Sequence, residues 1–380
     1  MTAAPTTPVP FNRPFLTGRE TAYLQEALQS RSLAGDGPFT RRCHAWLEGY
    51  LGARKALLTH SCTAALEMAA LLCDLEPGDE VILPSFTFVS TANAIVLRRA
   101  VPVFVDIRPD TLNLDENRVE EALTPRTRAV FVVHYAGIAA EMDAFLALGK
   151  RHGLRIVEDA AQGVMARYKG KPLGTLGDLG CLSFHETKNL VSGEGGALLV
   201  NDDALAQRAE IIREKGTNRA QFFRGQVDKY TWVDIGSSFL PSELVAAMLL
   251  AQLEEGAEIN ASRARAWIAY HTGLADLEAS GRLRRPIVPA HVEHNSHLYY
   301  VLTASLDERT RLIAHLKARS IQSVFHYVPL HSAPAGRKHG RAVGDLAVTQ
   351  DTSDRLLRLP MYAGLDDVER VVDAVHAFYA

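Results

Sequence analysis

R-I-V-E-D-A-A-Q at 155–162, read with G-C-L-S-F-H-E-T-K-N at 180–189, decides the fold. Each begins as a short apolar run with no strict polar alternation, which is what a strand buried on both faces of a sheet requires. The first run ends on an acid, Asp159, and the second leads through a turn to Lys188. Outward from these lie further runs of the same kind, K-A-L-L-T at 55–59, E-V-I-L-P at 80–84, P-V-F-V-D at 102–106, A-V-F-V-V-H at 129–134 and G-A-L-L-V at 196–200. Helical patterns alternate with them. Over 62–74, Ala65, Ala69 and Leu72 recur at helical spacing before the stop signal Pro77-Gly78, and 142–152 is another helix. The sum predicts an α/β domain built on a mainly parallel, seven-stranded sheet.

The pattern changes after Asp234. Pro241 opens a helical stretch to about residue 277, followed by a strand at 298–303, a helix at 308–319, a strand at 323–327 and terminal helices. We expect a flexible Pro/Thr-rich tail over 1–11, a large domain over 12–250 and a smaller α+β domain over 251–380, because 380 residues exceed a usual single domain.

Forty-one Lys and Arg against 44 Asp and Glu give a net charge of −3, without the basic footprint of a nucleic-acid binder. The N-terminus lacks the basic and apolar regions of a signal peptide, and no run nears the ~18 apolar residues of a membrane span. Cys43, Cys62, Cys73 and Cys181 show no C-x-x-C spacing and read as thiols of a reducing compartment. A cytoplasmic enzyme is expected, and Asn260-Ala-Ser262 is then a chance match to the glycosylation pattern.

Asp159 closes a buried strand, and in an open α/β sheet ligands bind at the carboxyl ends of strands. A carboxylate there needs a charge partner or hydrogen bonds, since an isolated buried charge is very costly. Lys188 precedes the glycine-rich S-G-E-G-G at 192–196. A lysine that loses its proton readily can bond a carbonyl compound as an imine. Singly, the two are a structural acid and an exposed loop lysine; with the next two elements they read as a site. In H-S-C-T-A-A-L at 60–66, Ser61 and Thr63 stand before a helix of small residues, either a plain N-cap or a phosphate cradle. In P-S-F-T-F-V-S-T at 84–91, Phe86 and Phe88 are either core residues or a platform for a planar ring.

Other matches fail. Gly193-Glu-Gly195-Gly196 precedes a strand, so it is a poor dinucleotide fingerprint, and no P-loop is present. His291, His294 and His297 read as a polar loop before a strand, and no metal is expected.

The combined pattern resembles the DegT/DnrJ/EryC1/StrS sugar aminotransferases, fold type I pyridoxal-phosphate enzymes, from about Pro10 to the end of the chain. The resemblance rests on G-D-G-P-F-T near 35–40, S-C-T-A-A-L, G-D-E-V-I-L-P-S-F-T-F-V-S-T-A-N-A, V-E-D-A-A-Q-G, S-F-H-E-T-K-N and G-E-G-G-A-L. It implies pyridoxal 5'-phosphate as cofactor, bonded to Lys188, with Asp159 at the pyridine nitrogen. Gln162 and Ser183 then lie near its hydroxyl and phosphate, Ser61, Cys62 and Thr63 form the phosphate turn, and Phe88 stacks on the ring. Many relatives read Ser-Gly-Thr in that turn, so Cys62 is a departure. Ser238 stands where relatives carry an Asn that reaches the phosphate of the neighbouring subunit. Phe86, His185, Arg219, Arg224, Lys229, His326, Tyr327 and His331 are the candidate substrate contacts.

Within the family, E-K-G-T-N-R-A-Q-F-F-R-G-Q-V-D-K-Y-T-W-V-D-I-G-S-S at 214–238 and F-H-Y-V-P-L-H at 325–331 resemble transaminases that use L-glutamate to aminate dTDP-4-keto-6-deoxy-D-glucose for surface polysaccharide synthesis. The expected product is dTDP-4-amino-4,6-dideoxy-D-galactose, and the expected assembly is a homodimer with active sites at its interface. The alternatives are a UDP- or GDP-linked 4-keto sugar, and a non-catalytic binding or regulatory homologue. Dehydratase relatives replace the lysine by histidine, whereas position 188 is Lys.

Overall fold

The computed structural model describes residues 7–380. The expected flexible tail over 1–11 falls partly outside the described residues. Within them, Val9 is fully buried and bridges in parallel to Ile321, and the Phe11 N–H donates to Gln322 Oε1 at 3.0 Å. This end of the tail is docked.

All seven expected strands are present, as Lys55–Thr59, Glu80–Pro84, Val101–Val105, Thr127–Val133, Arg155–Asp159, Leu179–Ser183 and Gly196–Val200. They lie side by side as 55–59, 196–200, 179–183, 155–159, 127–133, 80–84 and 101–105. A two-residue strand, Arg341–Ala342, adds an eighth in parallel at the far edge. Only 196–200 runs antiparallel, to both of its neighbours. The apolar character of the strands follows from two separate cores, one per face. Ile82, Ile156, Ala197 and Leu199 face one, with Leu47 and Phe145 from the helices Pro38–Leu51 and Met142–His152. Val81, Val157, Leu198 and Val200 face the other, with Ala65, Ala69 and Leu72 of the helix Cys62–Leu72.

The helical stretch expected from Pro241 divides into Glu243–Glu254, Gly256–Gly273 and Ala275–Ala279, with Ser242 at the first N-cap. The chain breaks at Glu255–Gly256, where a Cβ on Gly256 would come within 2.9 Å of the Met165 sulfur. A third core, including Trp267, Tyr270, Tyr299, Leu312 and Val371, holds the C-terminal part together. There Tyr299–Leu302 pairs antiparallel with Leu356–Leu359, a strand missing from the sequence reading. The strand expected at 323–327 is a single bridge, Val324 to Arg358, because His326 and Tyr327 turn into the cavity described next.

Candidate active site

Strand direction assembles the site. In register, Val133 lies beside Asp159, Ser183 beside Gly196, and Thr59 beside Gly196. The carboxyl ends of four strands therefore share one edge of the sheet, and the antiparallel strand begins there. A cavity of about 590 Å³ opens at this edge, lined by Ser61, Phe88, Asp159, Lys188 and Tyr327 among others.

The chain leaves Thr59 and enters the helix Cys62–Leu72 at Ser61, whose Oγ accepts from the Ala64 N–H at 3.1 Å. The Cys62 and Thr63 N–H groups find no acceptor among the described residues, and the Thr63 hydroxyl meets Ser90 Oγ at 2.8 Å. Two unpaired donors at a helix N-terminus favour an anion. This turn lies directly on Gly196, where an added Cβ would come within 2.4 Å of the Ser61 carbonyl carbon. That close approach is the physical use of the glycine-rich segment.

Asp159 is buried. Its Oδ2 accepts from Thr91 Oγ1 at 2.7 Å and its Oδ1 from the Ala161 N–H at 3.2 Å. Burial raises its pKa, and the Thr91 and Ala161 donors and the Lys188 charge hold it down. The preceding residue anchors the strand end. Glu158, fully buried, accepts from the Gly174, Leu176 and Gly177 N–H groups, and His134 Nε2 lies 2.8 Å from its Oε2.

Lys188 lies in the turn after Leu179–Ser183, its backbone N–H donating to the His185 carbonyl at 2.9 Å. Its ammonium has no hydrogen bond or ion pair among the described residues. Burial lowers its pKa, opposed by Cys62 and by the carboxylate of Asp159. The Cys62 thiol is pushed well up by burial, with Asp159 adding to the rise and Lys188 opposing it.

Around them, Gln162 accepts from the Ala136 N–H at 2.7 Å and donates to the Tyr327 hydroxyl at 2.9 Å. His326 Nδ1 lies 2.7 Å from the Tyr135 hydroxyl, and its ring stacks on Tyr327 at 3.7 Å. Ser183 and His185 also line the cavity. Phe88, 58% exposed, forms its wall.

Several expected residues lie elsewhere in their own chain. Phe86 is 1% exposed and packs edge-on behind Tyr327; the chain bends through residues 85–87, so Phe86 faces the core although Phe88 does not. Arg219 pairs with Glu214 and Arg224 with Glu210, so both charges are already satisfied. Lys229 is exposed on the same segment, and Ser238 is exposed on a bridge to Glu214. His331 sits outside the cavity, its Nδ1 2.7 Å from Ser85 Oγ. His297, read as part of a polar loop, lines the cavity with Nδ1 2.8 Å from Asn189 Oδ1. Thr91 and Arg358 were not singled out; an arginine inside the apolar run L-L-R-L at 356–359 was the available signal.

A partnerless amine, a buried carboxylate, an anion-binding turn and an open aromatic wall suit a flat, positively polarised ring with an anionic tail. The comparisons agree. The model of the DegT/DnrJ/EryC1/StrS aminotransferase family matches residues 14–376. The spore coat polysaccharide biosynthesis protein SpsC of Bacillus subtilis is 34% identical over 97% of this chain and 96% of its own. GDP-perosamine synthase of Caulobacter vibrioides is 34% identical over 95% of this chain and 96% of its own. Among solved structures, DesV of S. venezuelae, in complex with a ketimine intermediate, superposes with a TM-score of 0.89 at 33% identity, covering 98% of this chain and 99% of its own.

Proposed function

The chain belongs to the DegT/DnrJ/EryC1/StrS aminotransferase family, and from that premise we propose that it moves the amino group of L-glutamate to C4 of dTDP-4-keto-6-deoxy-D-glucose. The products are dTDP-4-amino-4,6-dideoxy-D-galactose and 2-oxoglutarate. It is a nucleotide-sugar aminotransferase, and its cofactor is pyridoxal 5'-phosphate. The observation that carries the reading is that Lys188 and Asp159 line one cavity beside unpaired N–H donors. The choice of sugar rests on the resemblance of residues 214–238 and 325–331.

The residues present fit the cofactor. Cys62 and Thr63 N–H groups, with the Ser61 and Thr63 hydroxyls, hold its phosphate; Ser183 and Gln162 serve its phosphate and hydroxyl; Phe88 covers its face. Asp159 pairs with the ring nitrogen, where a carboxylate favours the protonated form. The cofactor supplies an electron sink for breaking a C–H bond beside an imine. Lys188 binds it covalently and, once released, takes and returns the proton, a role worth ~10²–10⁴ in rate. Burial suits that role, since it favours the neutral amine. His185, His326 and Tyr327 line the side left for substrate.

Residues of the segment after Arg213 act on a second copy in this reading. Phe223, Tyr230, Trp232, Val233 and Ile235 are exposed, an apolar surface rare on a monomer. A homodimer covers it and takes Lys229 and Ser238 toward the neighbouring cavity. We retain the division into a large domain over 12–250 and a small one over 251–380. We place the enzyme in the cytoplasm, where its four free, buried cysteines stay reduced. Among the described residues no helix is long and apolar enough to cross a membrane.

A second reading, a GDP-linked 4-keto sugar, is favoured by the likeness to GDP-perosamine synthase. Incubating the yellow holoenzyme with glutamate and dTDP-, UDP- and GDP-4-keto sugars separates the two. Mass and NMR analysis of the product is expected to give the dTDP-linked 4-amino galacto sugar; turnover of the GDP sugar alone overturns the first reading.

A further inference from the structure

Phe11 and Asn12 line the cavity, although they stand ahead of residue 14, where the match to the family model begins. Three backbone bonds pin this segment to the C-terminal part of the chain. The Val9 N–H donates to the Ser320 carbonyl at 2.8 Å, the Gln322 N–H to the Val9 carbonyl at 3.0 Å and the Met361 N–H to the Phe11 carbonyl at 3.2 Å. The Phe11 ring lies 4.9 Å from the guanidinium carbon of Arg358, itself a lining residue. One residue on, the Asn12 side chain crosses to the turn that carries Lys188, where its Nδ2 donates to the Glu186 carbonyl at 3.2 Å.

A side-chain amide has two N–H donors and one acceptor oxygen. A backbone carbonyl can only accept, so the bond to Glu186 fixes which end of the Asn12 amide meets the turn. Oδ1 is left without a donor among the described residues, on a side chain that is half-buried in the cavity wall. This acceptor is held from two sides, by the pinned backbone of Phe11 behind it and by Glu186 beside it. Glu186 is two residues from Lys188, at most ~7 Å of chain. Asn12 therefore stands by the reacting atoms, and not at the far end of an extended ligand.

The chemistry of the substrates decides what such an acceptor can meet. The carboxylates of an amino donor and the diphosphate of a nucleotide sugar are ionised at neutral pH and offer no proton. The donor's amino nitrogen is the atom that reacts. The base carries N–H groups, but the ribose, the diphosphate and the sugar ring separate it from the reacting carbon. The donors that remain are the hydroxyls of the sugar, and in a 4-keto-6-deoxy sugar the one on C3 adjoins the reacting C4. We propose that Asn12 Oδ1 accepts a hydrogen bond from that C3 hydroxyl, which makes the N-terminal segment a specificity element for the sugar. This rests on the sugar-aminotransferase reading, but not on which nucleotide the sugar carries.

The test uses full-length holoenzyme as wild type and Asn12→Ala. The ligands are the 4-amino-4,6-dideoxy sugar and its 3-deoxy counterpart, each linked to dTDP and to GDP. Titration followed by the cofactor absorbance gives the affinity of each protein for each ligand. With the nucleotide that wild type binds more tightly, Asn12→Ala is expected to weaken the sugar bearing the C3 hydroxyl about 3–10-fold more than the 3-deoxy sugar, the worth of a neutral hydrogen bond. The comparison cancels whatever Asn12 does through Glu186, because a disturbed Lys188 turn weakens both sugars alike. Equal losses for the two sugars overturn the proposal, since they give Asn12 a structural role on the turn or a contact with the base. No loss for either sugar overturns it as well. If wild type binds neither nucleotide-linked pair, the sugar reading itself fails and takes the proposal with it, an outcome distinct from equal losses.

Discussion

The Thr91 hydroxyl donates to Asp159 Oδ2 at 2.7 Å, inside a cavity wall where neither group is exposed. Thr91 thus helps hold ionised a carboxylate whose burial favours the neutral acid. Replacing it by valine keeps the shape and removes the donor. Thr91→Val is expected to slow the glutamate half-reaction by roughly 10–100-fold, since hydrogen bonds to charged groups are worth about 1.5–3 kcal/mol. The variant's acid limb should also lie at higher pH than the wild type's, because the carboxyl is lost as pH falls through a pKa that the missing donor no longer holds down. A stopped-flow pH profile of the two proteins checks both.

Gly196 touches the Ser61–Cys62 backbone so closely that a methyl group has no place. Gly196→Ala should displace the phosphate turn, weakening pyridoxal phosphate binding and costing about 1–3 kcal/mol of stability through overpacking. Cofactor titration by fluorescence and urea unfolding of the cofactor-free protein measure the two effects. Unchanged cofactor affinity would mean that the turn does not hold the phosphate.

Lys188 in the cofactor-free protein has a pKa below its ordinary 10.5, burial being the main cause. The folded state then binds its proton less tightly than the unfolded chain does. The resulting penalty is full below the folded pKa and fades as pH rises toward 10.5. Cofactor-free Lys188→Met is therefore expected to melt above cofactor-free wild type at neutral pH, with the gap closing as pH rises. Melting curves across that range check the sign.

The seven strands were legible because a sheet covered on both faces leaves near-continuous apolar runs, and residues such as Ile156 and Val157 serve opposite cores. Strand direction was not, since nothing within G-A-L-L-V states that 196–200 runs against its neighbours. Lys188, Asp159 and the Ser61 turn were legible as polar groups at strand ends. Phe86 and Phe88 were inseparable by type: an extended run would put both on one face, and only the bend through residues 85–87 sends one inward and one to the cavity. Arg219 and Arg224 looked like free cations because their acidic partners, Glu214 and Glu210, stand on the preceding turns of chain and meet them only when folded. Arg358 was hidden in an apolar strand whose pairing with Tyr299–Leu302 is long-range.

The account depends on a covalent link between Lys188 and the cofactor. Borohydride reduction of the yellow holoenzyme, followed by proteolysis and peptide mass spectrometry, measures that link directly. The predicted result is a phosphopyridoxyl mass increment on the peptide containing Lys188 and on no other. An increment on a different lysine, or none with full loss of the yellow absorbance, would contradict it.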